Sequence, residues 1–236
     1  MNDRMTIGAT FLDAGPAKAD GATGELVAAI EEDIIFGRLR PRERLVEDVL
    51  MERHGVKRHV VRQALDRLAR MGIVVKERNK GCAVRDYRPD EVEDIFEIRA
   101  LLQEHAANRI PLPADETLVA TLTDIHERHC KAVDAGDLRA VYHLNNAFHD
   151  TLFGACGNPY LADSIAHYAW IAHAIRSYRI GDPTLLAQAR VEHKQMIDAL
   201  AAGDRDGLVR LCVVHINPSK EAYLAAEGAR RTAPQV

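Results

Sequence analysis

Downstream of Arg88-Pro89 the apolar residues recur only at helical spacings, and short breakers cut the pattern into segments. Pro111 with Pro113, Gly136, Gly157-Asn158-Pro159, Gly181-Asp182-Pro183 and Gly203-Asp204 leave helices near 90–109, 115–135, 137–155, 158–180, 184–202 and 205–226. Long helices joined by so few residues must fold back on their neighbours, which predicts an antiparallel all-α bundle of about six helices. Pro218 falls inside the last helix and should kink it, because proline has no N–H to donate. With only 5% aromatic residues, the core must be mostly aliphatic.

The N-terminal part follows a different plan. Residues 1–23 are rich in Gly, Ala and Asp and read as a disordered tail. From Gly24, the residues Leu26, Ile30, Ile34 and Ile35 keep helical spacing up to Gly37. A second helix runs from about Val46 to His54 and stops at Gly55. A third runs from about Lys57 to Met71, with Val60, Val61, Ala64, Leu65 and Leu68 on one face, and stops at Gly72. Residues 73–78 read as a strand, Asn79-Lys80-Gly81 as a tight turn and 82–85 as the returning strand. The second and third helices are joined by two or three residues including Gly, the spacing of a helix-turn-helix. The reading is therefore a mainly α chain: tail 1–23, winged helix-turn-helix 24–88 (three helices plus a β-hairpin), helical domain 89–228 and tail 229–236.

A net charge of −4 speaks against a nucleic-acid partner, but the charge is unevenly spread. Residues 53–88 hold 11 basic and 3 acidic residues, whereas residues 89–236 carry −7. The third helix presents Lys57, Arg58, His59 and Arg62 at its N-terminal end, and Arg58 and Arg62 share a face. A helix that enters the major groove by its N-terminus puts such residues at base edges, where Arg can contact guanine bidentately. The turn Asn79-Lys80-Gly81, next to Arg78, suits a phosphate or the minor groove. The plain alternative is a solvated Arg-rich surface. Four cysteines without a CxxC pair argue against a zinc finger and a disulfide scaffold and fit a reducing cytoplasm. No apolar run approaches the roughly 18 residues a membrane span needs, and no secretory signal opens the chain, so the expected localisation is cytoplasmic.

Three histidines fall on inward stripes of three different helices. His149 shares one with Leu138, Val141, Asn145, Phe148 and Leu152, His193 with Leu186, Ala189, Met196 and Leu200, and His215 with Leu208, Leu211 and Pro218. A buried imidazole needs a partner, and several converging in one bundle are readily satisfied by a metal. Any one of them alone reads better as a core histidine that has found a partner. His126, His129, His143, His167 and His173 are read as structural, with His173 a possible neighbour of the same cavity.

Taken together, residues 39–45 (LRPRERL), 55–65 (GVKRHVVRQAL), 68–73 (LARMGI) and 81–84 (GCAV) resemble the winged helix-turn-helix of the GntR family of bacterial transcription regulators. The resemblance implies DNA contacts from Arg58 and Arg62, flanked by Lys57 and His59, with Gly81 as the wing glycine. The family usually has Gly where Arg42 stands, Ser or Thr at Lys57, and a basic residue at Asp48.

The segments Ile98-Arg-Ala-Leu-Leu102, Asn145-Asn-Ala-Phe-His149, Gly157-Asn158, Glu192-His193, 199–204 and His215 resemble the FadR-type ligand-binding domain of that family, the FCD domain. This implies a divalent metal held by His149, His193 and His215, with Asn145 where the family has Asp, and a small organic-acid effector. Zn, Ni, Mn and Fe all suit such a site. Gln103 stands where the family usually has an acid. Arg99 lies on the inward stripe Val92, Ile95, Arg99, Leu102, Ala106. Its fork suits a carboxylate as well as a structural ion pair, and the resemblance points to the effector.

The resulting expectation is a ligand-responsive regulator that binds a palindromic operator in double-stranded DNA as a homodimer, with no catalytic residues. The rival is a metal-dependent hydrolase on a helical bundle. Against it, helical spacing turns Asp150 and Glu192 away from the histidine stripe. A third reading keeps DNA binding and makes the bundle a dimerisation unit only.

Overall fold

The computed structural model describes residues 21–77 and 81–232. The N-terminal part contains α1 (Gly21–Ile35), β1 (Arg44–Leu45), α2 (Glu47–His54), α3 (Arg58–Arg70), β2 (Val74–Glu77) and β3 (Gly81–Val84). Val61, Ala64, Leu65 and Leu68 on α3 pack against Leu26, Ile30 and Ile34 on α1 in a single apolar core. Helix α1 begins at Gly21, three residues inside the stretch expected to be tail. Gly55 ends α2 at φ +64, a backbone region that favours glycine.

The hairpin is antiparallel, with Val74 opposite Val84 and Glu77 opposite Gly81. A third strand, β1, was not expected. It pairs Arg44 with Ala83 and Leu45 with Cys82, giving the order β1-β3-β2. Two residues are too few for an alternation to show in sequence. Just before β1, Arg42 has φ +69 and is the one non-glycine residue at positive φ among the described residues. Its N–H donates to Val84 O at 3.0 Å, and its Nε donates to Asp86 Oδ2 at 2.6 Å. The tight entry into β1 thus needs the left-handed conformation that a glycine would take without strain.

The helical part contains α4 (Pro89–Arg109), α5 (Glu116–Asp134), α6 (Leu138–Gly154), α7 (Pro159–Ile171), α8 (His173–Ile180), α9 (Pro183–Ala202), α10 (Arg205–Val214) and α11 (Asn217–Thr232). The breakers act as helix starts. Asp115, Asp137, Asn158, Asp182 and Asp204 each accept a first-turn N–H.

Among the described residues there are eight helices here, not six, because two of the expected helices are broken. The segment 158–180 breaks at Ala172. Tyr87 Oη donates to Ile171 O at 2.8 Å, while the Ile175 N–H turns to Ala172 O. The last expected helix breaks at His215 and Ile216. Pro218 is the second residue of α11 rather than a kink inside a long helix, since a missing N–H costs nothing in a first turn. Helix α11 also continues to Thr232, past the expected end of the domain.

The two parts are tied together. Trp170, the one tryptophan of the sequence, is a member of the N-terminal core although it sits on α7. The Tyr87 N–H donates to Tyr223 Oη on α11 at 3.1 Å. No helix among the described residues is long and apolar enough to cross a membrane.

Candidate metal centre, effector cavity and DNA-reading face

His149 on α6, His193 on α9 and His215, which caps the end of α10, converge. One ring nitrogen from each lies within 4.8 Å of the others. His149 Nε2 and His215 Nε2 are 3.1 Å apart. His193 and His215 are buried and His149 is half-buried. The His193 ring is stacked on Phe148 at 4.2 Å, which fixes its plane. The break after α10 sharpens the corner: His215 sits where the helix stops.

His215 Nδ1 donates to Glu192 Oε2 at 2.5 Å. An ionised carboxylate only accepts, so with Nδ1 donating, the lone pair of the His215 ring is on Nε2, the nitrogen beside His149. Gln188 Nε2 donates to the second Glu192 oxygen at 2.7 Å. Glu192 is therefore not turned away from the histidines. It faces the one that arrives from another helix. Asp150 likewise lines the cavity beside His149.

The donor set fits a divalent ion. Nitrogens about 2.1 Å from a common ion sit roughly 3.0–3.4 Å apart, the range of the His149–His215 separation. Asn145, one turn before His149, lines the same cavity and offers a neutral oxygen.

That cavity measures about 70 Å³, room for a small molecule only. Arg99 and Gln103 from α4 line it. Arg99 is 5% exposed, and its guanidinium lies 4.7 Å from the Phe96 ring centroid. Two further wall residues were read as structural or passed over. His129 is buried and its ring lies 5.3 Å from that of His193. It lies on the buried stripe Leu122, Ile125, His129, Ala132 of α5, a pattern visible in the sequence. Arg176 on α8 donates from Nη2 to Asn146 Oδ1 at 2.8 Å. Burial raises the Asp150 carboxyl above its ordinary range, with Arg176 opposing. His173 does not line this cavity. It bonds Tyr142 Oη at 2.9 Å, and burial, then Arg176 and Arg99, hold it well below the usual histidine range and so neutral.

His173 belongs instead to a second cavity, bounded on one side by Ala28, Glu31, Glu32 and Ile35 of α1. Tyr142, Asn146, Asp150, Ala166, Ala169 and Arg176 line both cavities, so they form a shared wall. Burial pushes the Glu31 carboxyl up to about 7, against the lowering effect of the Trp170 indole.

In the N-terminal part, Lys57 stands at the N-cap of α3, and Arg58, His59 and Arg62 follow on its first turns, all exposed. Acids of α2 hold the two arginines: Arg58 Nη2 pairs with Asp48 at 2.5 Å and Arg62 Nε with Glu47 at 3.0 Å. Gly81 opens β3 at φ +85 and is exposed. Asn79 and Lys80 lie outside the described residues.

Residues 22–84 match the bacterial regulatory proteins of the gntR family, and residues 94–218 match the FCD domain. The Nta operon transcriptional regulator of Aminobacter aminovorans is 27% identical over 75% of this chain and 82% of its own length. The HTH-type transcriptional repressor GlaR of Escherichia coli is 26% identical over 74% of this chain and 83% of its own. The structure of E. coli McbR/YncC has the same fold, with a TM-score of 0.71 at 19% identity over 90% of this chain and 99% of that one. The hydrolase reading has no support in these relatives, which are regulators. The chain belongs to the GntR family of bacterial transcription regulators, joining that family's DNA-binding domain to an FCD ligand-binding domain, and it is not an enzyme.

Proposed function

We propose that this regulator reads a palindromic operator as a homodimer, and that its FCD domain senses a small carboxylate with the help of a divalent metal. The observation that carries the reading is the convergence of three histidines from separate elements at a cavity that Arg99 also lines. His149, His193 and His215 would hold the ion, with Asn145 beside them. A bound divalent ion supplies positive charge and a Lewis-acidic site for a carboxylate oxygen. Arg99 supplies a fixed fork for the same group, stiffened by Phe96. Glu192 keeps His215 in the tautomer that can ligate.

The shared wall gives the effector a route to the DNA-binding part. A ligand that draws on Arg176 or Asn146 acts on residues that also bound the α1 cavity. Two arrangements of that contact with different effector affinities suffice for regulation. At the operator, Arg58 and Arg62 would exchange their α2 carboxylates for base edges and phosphates, with Lys57, His59 and the wing residues Asn79, Lys80 and Gly81 flanking. Ile98 and Leu101, exposed on α4, offer apolar surface for a second copy. The reading places the protein in the cytoplasm with its DNA.

Metal analysis of the purified protein, followed by melting curves with small organic acids, tests the effector half. Bound metal and a metal-dependent upward shift in melting temperature are expected. A metal-free protein indifferent to added Zn²⁺ and to every acid would reduce the helical part to a dimerisation unit. Operator titration of Arg58→Ala/Arg62→Ala at two salt concentrations tests the other half. Weaker binding with a shallower salt slope is expected, and unchanged affinity would remove these residues from the interface.

A further inference from the structure

The cavity beside α1 is lined from both parts of the chain: α1 of the DNA-binding part on one side, α6, α7 and α8 of the helical part on the other. It measures about 230 Å³, below the roughly 300–1,000 Å³ of pockets for drug-sized ligands, so it suits a small molecule. One wall is aromatic. The Tyr142 and His173 rings lie 5.3 Å apart and the His173 and Trp170 rings 5.9 Å, so three rings run side by side from α6 through α8 to α7. All three residues are buried. Burial keeps the His173 ring neutral, so this wall adds no positive charge of its own.

On α1, Glu31 lines the same cavity, and its Oε1 is buried with no hydrogen-bond partner among the described residues. The charged groups around it are engaged elsewhere. Glu32 pairs with Arg139 at 2.9 Å and lies 3.6 Å from His143. Arg176 on α8 donates to Asn146 Oδ1 at 2.8 Å and to Ala169 O at 3.5 Å. Asp150 on α6 is the third acid of the lining. Arg67 on α3 favours the charged form of Glu31 and Glu32 opposes it, but burial outweighs both and raises the carboxyl to about 7. A buried carboxyl in this position is satisfied by holding a proton or by meeting a cation. A neutral apolar guest would leave Oε1 unserved, and an anion would be repelled by it. An ammonium group brings three N–H donors and a charge, and aromatic walls attract organic cations.

We propose that this cavity is a second ligand site, which takes a small organic ammonium ion: Glu31 pairs with the ammonium group, and the rings of Tyr142, His173 and Trp170 pack against the body of the ligand. The site stands apart from the histidine centre and does not depend on a metal or a carboxylate there. Its ligand touches α1 and the helices of the sensing part at once, so it biases the contact between the two domains.

The test is titration of the full-length protein at pH 8 with butylamine, cyclohexylamine and benzylamine, each paired with the alcohol of the same skeleton: 1-butanol, cyclohexanol and benzyl alcohol. Trp170 is the one tryptophan of the sequence and lines this cavity but not the histidine cavity, so its fluorescence reports this site, with calorimetry as the second measurement. At least one amine is expected to bind about tenfold or more tightly than its alcohol, the scale of one charge-assisted contact. Glu31→Gln keeps the shape and is expected to bring that ratio within about twofold. At pH 5 the amines remain charged while Glu31 holds its proton, so the wild-type ratio is expected to fall toward that of the variant, whose own ratio stays where it was. A wild type that binds no amine more tightly than its alcohol overturns the proposal, as does a Glu31→Gln variant that keeps the preference or a wild-type preference that is the same at pH 5 and pH 8. Should Glu31→Gln fail to fold, the wild-type ratios at the two pH values decide.

Discussion

Glu192 accepts a 2.5 Å hydrogen bond from His215 Nδ1, although the two residues stand on different helices and Glu192 is the sequence neighbour of another candidate ligand, His193. One acid thus orients one histidine while its neighbour in the chain supplies the next. An imidazole tied to a carboxylate is a better and better-aimed donor. Replacing Glu192 with Gln keeps the size and removes the charge that fixes the tautomer. Zinc affinity is expected to fall about 10- to 100-fold, measured by competition with a chelator, and the melting temperature of the metal-free protein to change less than that of the zinc-loaded one. An unchanged zinc affinity would separate Glu192 from the centre.

On the DNA-reading face, Asp48 stands 2.5 Å from an Arg58 nitrogen. Both groups are exposed, so the pair adds at most about 1 kcal/mol to stability. Its consequence for DNA is larger, because a carboxylate beside a guanidinium competes with phosphate and repels the backbone. Asp48→Ala is expected to leave the melting temperature nearly unchanged and to tighten binding to both operator and unrelated DNA, by roughly 1 kcal/mol or less. Fluorescence anisotropy with the two DNAs reads this directly. A loss of affinity would mean that Asp48 positions Arg58 rather than restrains it.

The residues that were legible in the sequence and those that were not differ in how far their determinants lie along the chain. His149 and His193 sit on mostly apolar stripes of unbroken helices, so a 3.6-residue period suffices to aim them inward. Glu192 reads as turned away from the histidines because the stripe rule asks only about its own helix, and its partner His215 arrives from the end of another. The break at Ala172 depends on Tyr87, 84 residues earlier, capturing the Ile171 carbonyl. No local pattern carries that. Arg176 was absent from the sequence reading because it lay inside what looked like one helix. Pro218 was seen but misplaced: proline stops a helix or starts one, and only the buried corner at His215 selects the second.

Arg42 turns a departure from the family pattern into a backbone measurement. It holds φ +69 where the family usually has Gly, and its guanidinium pairs with Asp86. Arg42→Ala removes the pair and keeps the strained backbone. Arg42→Gly removes both. Glycine is therefore expected to be the more stable of the two variants by about 1 kcal/mol, seen as a higher denaturant midpoint at equal slope. Equal midpoints would mean that the turn relaxes once the Arg42–Asp86 pair is gone.

Glu31 gives the domain contact a pH dependence whose sign can be derived. It lies on α1 facing Trp170, and its Oε1 is buried without a hydrogen-bond partner among the described residues. Burial pushes its carboxyl from the ordinary 4.5 up to about 7, while Arg67 pulls it down and Glu32 pushes it further up. The folded state therefore holds this proton more tightly than the unfolded chain does. The stability it contributes is fully present below about 4.5 and is lost as pH rises through about 7. Above that, the folded protein carries a buried carboxylate against the indole of the residue that ties the two domains together. Glu31→Gln keeps the shape without the charge. It is expected to be nearly neutral at pH 5 and to stabilise the protein by about 1–3 kcal/mol at pH 8, less where water reaches the group. Urea unfolding of both proteins across that range, followed by Trp170 fluorescence, checks it. A wild-type-to-variant difference that does not grow with pH would show that Glu31 keeps its ordinary acidity.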